Sequence, residues 1–263
     1  MPLPIYQIDA FTQQYFAGNP AAVVPLHGWL KDDVMLNIAA ENNLAETAFF
    51  TPADGDADFE LRWFTPTYEI DLCGHATLAA AYVLFEHLNF QKPSVLFSTQ
   101  SGLLKVSRQG EQLTLDFPAR PPEETPVAKE LLQALGLERV VYAGLSRDWL
   151  LEIDSEEQLR QLQVDISQLS KVSDKAVIIT AAGQQKDFVS RFFAPNFGVA
   201  EDPVTGSAHC TLVPYWADKL DKSQLEARQI SQRGGDLSCR LEGDRVFMSG
   251  HATTYLVGSI FLA

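Results

Sequence analysis

The chain has 263 residues, 46% hydrophobic and 21% charged, which is ordinary for a globular protein able to bury a large core. A net charge of −14 excludes a protein that tracks nucleic-acid phosphates, and no apolar run approaches the roughly 20 residues that span a bilayer. Met1-Pro2-Leu3-Pro4-Ile5 has no basic region followed by an apolar one, so no signal peptide is expected and the chain is placed in the cytoplasm.

Residues 5–11 alternate like a half-buried strand, residues 16–20 form a turn, and residues 21–24 a second strand. Asp32 and Asp33 suit the start of a helix running to Asn42 or Asn43. Strands are expected at 47–50 and 59–64. A tight turn, Asp71-Leu72-Cys73-Gly74-His75, then opens into an apolar helix over about 76–88. Further strands are expected at 95–97, 103–106 and 113–117. Pro118, Pro121 and Pro122, with Glu123 and Glu124, interrupt regular structure, and the domain boundary is set there. This gives an N-terminal lobe of 1–118 and a C-terminal lobe of 119–263, with the last strand near 255–263 free to pack back on the first.

The second half echoes the first. Arg62-Trp63-Phe64-Thr65-Pro66 recurs as Arg191-Phe192-Phe193-Ala194-Pro195 at an offset of 129, which carries Cys73 onto Asp202. Gln100-Ser101-Gly102 recurs as Gln232-Arg233-Gly234 at an offset of 132, so about three residues are added in between. Duplication into two pseudo-symmetric lobes follows. A helix as apolar all round as residues 76–85 is buried on every side. The expected fold is therefore α+β, each lobe a barrel-like, mostly antiparallel sheet around a central helix. The two helix starts, facing one another across a cleft, would hold a small carboxylate.

Glu46, in Asn43-Leu44-Ala45-Glu46-Thr47, reads either as a strand-end carboxylate in solvent or as a partly buried proton carrier whose pKa rises toward neutrality. His75 is either a structural histidine or a donor held neutral by the helix end. Asp202 is a second acid or a helix N-cap. Gly74, Gly206 and Ser207 let the backbone approach a ligand. Cys73 is a small buried hydrophobe or, at a helix N-terminus, a thiolate. Cys210 and Cys239 read as structural. No Cys/His spacing resembles a zinc site and no phosphate-binding loop appears, so neither metal nor cofactor is expected. Gly250-His251-Ala252-Thr253 repeats residues 74–77, but its surroundings read as strands.

These pieces resemble the PhzF-like isomerase family of phenazine biosynthesis, which shares the diaminopimelate epimerase fold. The resemblance rests on Asp9-Ala10-Phe11-Thr12 with Gly18-Asn19-Pro20-Ala21-Ala22-Val23, on Leu44-Ala45-Glu46-Thr47-Ala48-Phe49, on Asp71 to Thr77, and on Gly198 to Ala208. It implies Glu46, His75 and Asp202 as catalytic residues. Asn19, Cys73, Gly74, Gly206 and Ser207 would contact a small carboxylate substrate. It also implies a homodimer and a proton-shuttling isomerase without cofactor. The epimerase relatives use two cysteines, whereas this chain keeps only Cys73, so a two-thiol mechanism fits poorly. An epimerase using Cys73 with Asp202 or Glu46, and a non-catalytic binder of a metabolite or protein, are the alternatives.

Overall fold

The computed structural model describes residues 2–262. Met1, where the N-terminal reading began, and Ala263, the end of the expected last strand, lie outside them. The chain forms two compact units, Met1–Asp116 with Ser249–Ala263, and Phe117–Met248. The first unit therefore takes back more of the C-terminus than residues 255–263, and its main run stops two residues before the expected boundary.

In the first unit the order is β1 (Leu3–Ala10), β2 (Asn19–Pro25), α1 (Asp32–Asn42), β3 (Glu46–Pro52), β4 (Phe59–Phe64), β5 (Glu69–Ile70), α2 (Gly74–Glu86), β6 (Ser94–Thr99), β7 (Gly102–Gln109) and β8 (Gln112–Pro118). The second holds β9 (Glu123–Glu124), α3 (Lys129–Ala134), β10 (Tyr142–Leu145), β11 (Trp149–Glu152), α4 (Glu156–Gln161), α5 (Ile166–Val172), β12 (Val177–Ala182), β13 (Phe188–Ala194), β14 (Val199–Asp202), α6 (Gly206–Leu220), β15 (Gln224–Gln229), β16 (Gly235–Glu242) and β17 (Arg245–Gly250). The last strand, β18 (Ala252–Ile260), pairs antiparallel with β1 from Leu3↔Ile260 to Ala10↔Ala252.

The fold is α+β and mostly antiparallel, of the diaminopimelate epimerase-like kind. The parallel joins fall at matching places. In the first unit they are β2 with β3 and β4 with β6. In the second they are β11 with β12 and β13 with β15.

Side chains repeat with the strands. Arg62 forks onto Glu69 through Nε and Nη2, both at 2.7 Å, and Arg191 forks onto Glu201 at 2.7 and 2.9 Å. Each guanidinium also lies over a phenylalanine ring, Phe64 at 5.1 Å and Phe193 at 5.0 Å. Asp58 accepts from the Leu96 amide and Lys92, and Asp187 accepts from the Glu226 amide and Lys222. Bidentate pairs demand matched planar geometry, so their recurrence is specific evidence of duplication.

α2 carries four alanines in its 13 residues, and alanine is the strongest helix former. It is buried from Gly74 to Ala81 and again over Val83–Phe85. It packs chiefly against β1, β2 and β3. α1 covers another face of that sheet, with Met35, Ile38 and Ala39 against Val24, Phe49 and Phe64. In the second unit α6 runs through Pro214, which has no N–H to offer the Cys210 carbonyl. The Arg120 amide donates to that carbonyl instead, at 2.8 Å, so the helix continues without an orphaned acceptor. The short helices α3, α4 and α5 build a second apolar layer around Leu131, Leu135, Leu159 and Leu169.

Candidate functional site

In the first unit four sequence-selected side chains converge. β2 begins with Asn19, β3 begins with Glu46, and Cys73 and His75 lie at the start of α2. The parallel register Ala21↔Glu46 sets the first two elements side by side. Gly18 makes the entry to β2 possible: its φ is +68°, and a Cβ there would stand 2.3 Å from the Ala10 carbonyl oxygen.

His75 is the hub. Its Nδ1 lies 3.1 Å from Asn19 Nδ2 and 3.5 Å from Cys73 Sγ, and its Nε2 lies 3.1 Å from Glu46 Oε2. Asn19 is fully buried, and Cys73 and His75 nearly so. The Glu46 side chain is 12% exposed, so it is neither free in solvent nor sealed. The close approach of His75 Nε2 and Glu46 Oε2 is not an aligned hydrogen bond, and both atoms are buried without an aligned partner. The pair attracts as an ion pair once His75 is protonated, but neither atom makes an aligned hydrogen bond, so each keeps the capacity to make one to a ligand.

Electrostatics decides between the two readings of Cys73 and corrects that of His75 as a neutral ring. Burial, reinforced by the Glu46 carboxylate, pushes the Cys73 thiol up to about 11, so it is a thiol at neutral pH despite standing at a helix N-terminus. Burial by itself lowers the His75 imidazolium, but the Glu46 carboxylate, 3.1 Å from Nε2, outweighs it and holds the pKa well above 6.5. The helix end was expected to keep this ring neutral. A carboxylate 3.1 Å away, in a medium of low dielectric, overrides the partial charge of the helix terminus.

In the second unit Asp202 ends β14 and is buried. It is not the N-cap of α6, which is Thr205. Thr205 Oγ1 donates to Asp202 Oδ2. Gln229, fully buried on β15, accepts from the Thr205 amide at 2.8 Å and donates to the Asp202 carbonyl at 2.6 Å and to Thr205 Oγ1 at 3.2 Å. Thr205 and Gln229 were not singled out from sequence, and Gln229 offers no motif that would have marked it.

The correspondence between halves also changes. The helices start at Gly74 and Gly206, an offset of 132, and the paired glutamates, Glu69 and Glu201, share it. The three extra residues fall between Pro195 and Glu201, where a 3₁₀ turn, Pro195–Phe197, interrupts the strand hairpin. Structurally, Cys73 therefore matches Thr205, and Asp202 matches Ile70. His75 matches half-buried Ser207, and Thr77 matches His209. Thr77 Oγ1 donates to the Cys73 carbonyl at 2.5 Å, and His209 Nδ1 holds the Thr205 carbonyl at 2.8 Å. Glu46 has no acidic counterpart: the strand register Phe49↔Arg62 and Ile179↔Arg191 puts Ala176 at its place.

Cys73, His75 and Glu46 also form a group of metal-ligand type, with one atom of each within 4.8 Å of the other two. Cys/His spacing along the chain does not reveal this group, because its ligands are not all close in sequence. Here the carboxylate comes from a strand 27 residues before the cysteine.

A family model, "Phenazine biosynthesis-like protein", matches residues 8–258. The chain belongs to this family. Over 263 residues it is 51% identical to an uncharacterized isomerase of Pseudomonas aeruginosa, with both chains fully covered. A phenazine biosynthesis-like domain-containing protein of Mus musculus is 40% identical, over 99% of each chain. A crystal structure of a PhzF-family phenazine biosynthesis protein from Enterococcus faecalis superposes with a TM-score of 0.95 at 45% identity, covering both chains completely. No helix among the described residues is long and apolar enough to cross a membrane.

Proposed function

We propose that this PhzF-like protein is an isomerase that moves a proton on a small carboxylate-bearing metabolite, with Glu46 as the general acid and base. The observation that supports it best is the Glu46–His75 contact at 3.1 Å, at the start of a buried helix, with both facing atoms lacking aligned partners. A carboxylate there can take a proton from one carbon and return it to another, and the imidazolium form of His75 steadies its charge. The burial of Asn19, Cys73 and His75 shields the transferred proton from bulk water. Asn19 Nδ2 stands against His75 Nδ1, so in this reading it orients the ring as well as contacting substrate. Cys73, Gly74, Gly206 and Ser207 keep their role as substrate contacts, and Asp202 that of second acid, on the resemblance to the family. No bound cofactor, a homodimeric assembly and a cytoplasmic location belong to the same proposal.

A two-thiol epimerase is disfavoured. The structural counterpart of Cys73 is a threonine, and Cys73 itself holds its proton.

The test is incubation of the protein with a metabolite extract in heavy water, scored by mass spectrometry for labelled products, beside Glu46→Gln. The variant keeps the shape of the side chain and removes the base. Labelling is expected to fall by about 10²–10⁴-fold. Labelling at the native rate, by a variant with unchanged circular dichroism, would remove Glu46 from the chemistry.

A further inference from the structure

We infer that β18 and the loop before β2 form the face through which two copies of this chain pair, edge to edge, as a two-fold dimer. The outer edge of β18 carries this. Its backbone pairs with β1 on one side, and among the described residues no strand pairs with the other. A strand of nine residues therefore presents a row of open N–H and C=O groups. Folded proteins blunt such edges with charge, with proline or with a covering element. β18 has neither charge nor proline, and Tyr255, Leu256 and Val257 at its centre are all exposed. Its register with β1 shifts at Tyr255, a bulge that leaves Leu256–Ile260 in unbroken register and able to pair outward.

Side chains extend the face. Consecutive strand residues point to opposite sides of a sheet, so an apolar run of three covers both sides of the edge, as it does where a sheet continues. The Tyr255 ring meets the Phe16 ring edge-on at 5.9 Å, and Phe16 lies 6.4 Å from Tyr15. Phe16 is 73% exposed, and Phe261, just beyond the end of β18, is 80% exposed. These six residues leave on the order of 800 Å² in water, and a stable interface of standard size takes about 800 Å² from each partner.

The occupant follows from charge and symmetry. Residues 10–26 and 246–263 contain no Asp, Glu, Lys or Arg, in a chain where these types make up 21%. A chain of net charge −14 repels its own copy, and a face without charge is where two copies approach most easily. The same absence of charge offers nothing to a strongly basic or acidic partner. An antiparallel edge is complementary to itself, since a two-fold axis near Gly258 runs the strand back along its own copy and closes the pair. The face also borders the site: Phe16 stands three residues before Asn19, whose amide meets His75, so pairing fixes the loop that delivers Asn19. This gives a place to the homodimer proposed above and needs no part of the proposed reaction.

Sedimentation equilibrium of the native full-length chain is expected to show a dimer at micromolar concentration. High salt should hold it at least as firmly as low salt, because screening weakens the repulsion between acidic surfaces. Amide hydrogen exchange at residues 12–17 and 255–261 should slow as the dimer fills. Val257→Glu and Phe261→Glu change exposed side chains and leave the core intact. Each should weaken the dimer by about 10-fold or more, and the two together should give a monomer with native circular dichroism. The proposal is overturned if the native chain is monomeric at its highest soluble concentration, if the protected amides lie elsewhere, or if the folded double variant dimerises as the native chain does. A native monomer that sediments with phosphatidylcholine vesicles would assign the face to a lipid surface, and growth beyond a dimer would mean an edge that does not close; either result also overturns it.

Discussion

The buried histidine of the second unit makes a quantitative prediction. His209 is fully buried in the first turns of α6. Its Nδ1 holds the Thr205 carbonyl, and its Nε2 has no partner among the described residues. Burial lowers its pKa to about 4, against a smaller raising effect of the Thr205 contact. Between pH 6.5 and about 4 the unfolded chain binds a proton that the folded chain refuses. Stability therefore falls as the pH falls through this window, by about 1.4 kcal/mol per unit, and levels off below it. Across 2.5 units the loss is about 3 kcal/mol, a sizeable part of the roughly 5–15 kcal/mol that keeps a domain folded. The matching residue of the first unit, Thr77, supplies the control, because a hydroxyl there reaches the same carbonyl. His209→Thr should keep that bond, lose about 1 kcal/mol to the missing ring, and lose the proton linkage. Urea unfolding followed by tryptophan fluorescence from pH 7 to 4 should show the variant weaker at pH 7 and stronger at pH 4, with the curves crossing near pH 6. A constant gap between the two at every pH would show that His209 does not titrate as its burial demands.

Two further predictions follow from the repeated framework. Arg62→Met and Arg191→Met each break a half-buried bidentate pair and should cost about 2 kcal/mol, between the figures for exposed and sealed ion pairs. Arg191 also donates to the Leu159 and Leu162 carbonyls, so its loss should be the larger in chemical denaturation; the reverse order would contradict this account. Gly18→Ala places a Cβ against the Ala10 carbonyl at a positive φ, and should lower stability by roughly 2–3 kcal/mol or more in calorimetry and disturb Asn19 next to it. An unchanged melting temperature would mean that the 11–18 segment yields freely.

Much of the first unit was legible because its elements announce themselves locally. Alternation over residues 5–11 marks most of β1, which runs Leu3–Ala10, the two aspartates start α1 at Asp32, and the apolar run from Ala76 marks α2, which begins two residues earlier at Gly74. The expected helix ran on to Leu88 where the structure ends it at Glu86, since nothing in Glu86-His87-Leu88 forbids another half-turn. The short helices α3, α4 and α5 were not anticipated. Six or seven residues are too few for a periodic signal, and two of the three depend on side-chain caps from Ser155 and Asp165. The residues of the first site were all named from sequence, but their roles required coordinates. A helix terminus argues for a thiolate at Cys73 and a neutral His75; burial, reinforced by Glu46, reverses the first, and the approach of Glu46 from another strand reverses the second. The duplication was visible in Arg62-Trp63-Phe64 and Arg191-Phe192-Phe193. The position of the added three residues was not, and that error carried Cys73 onto Asp202.

The strand β18 ties the order of synthesis to the order of folding. β1 is flanked by β2 on one side and by β18 on the other, in an eight-residue register that joins residues near the two ends of the sequence. Those final residues leave the ribosome only after every residue of the second unit. While the chain is growing, the first unit has all its helices and its candidate proton carrier, but β1 waits with one edge bare. β1 gains this partner only after the second unit has been made, although its own residues precede that unit, so translation that stops after residue 248 yields an intact blueprint for the second unit and an unfinished first.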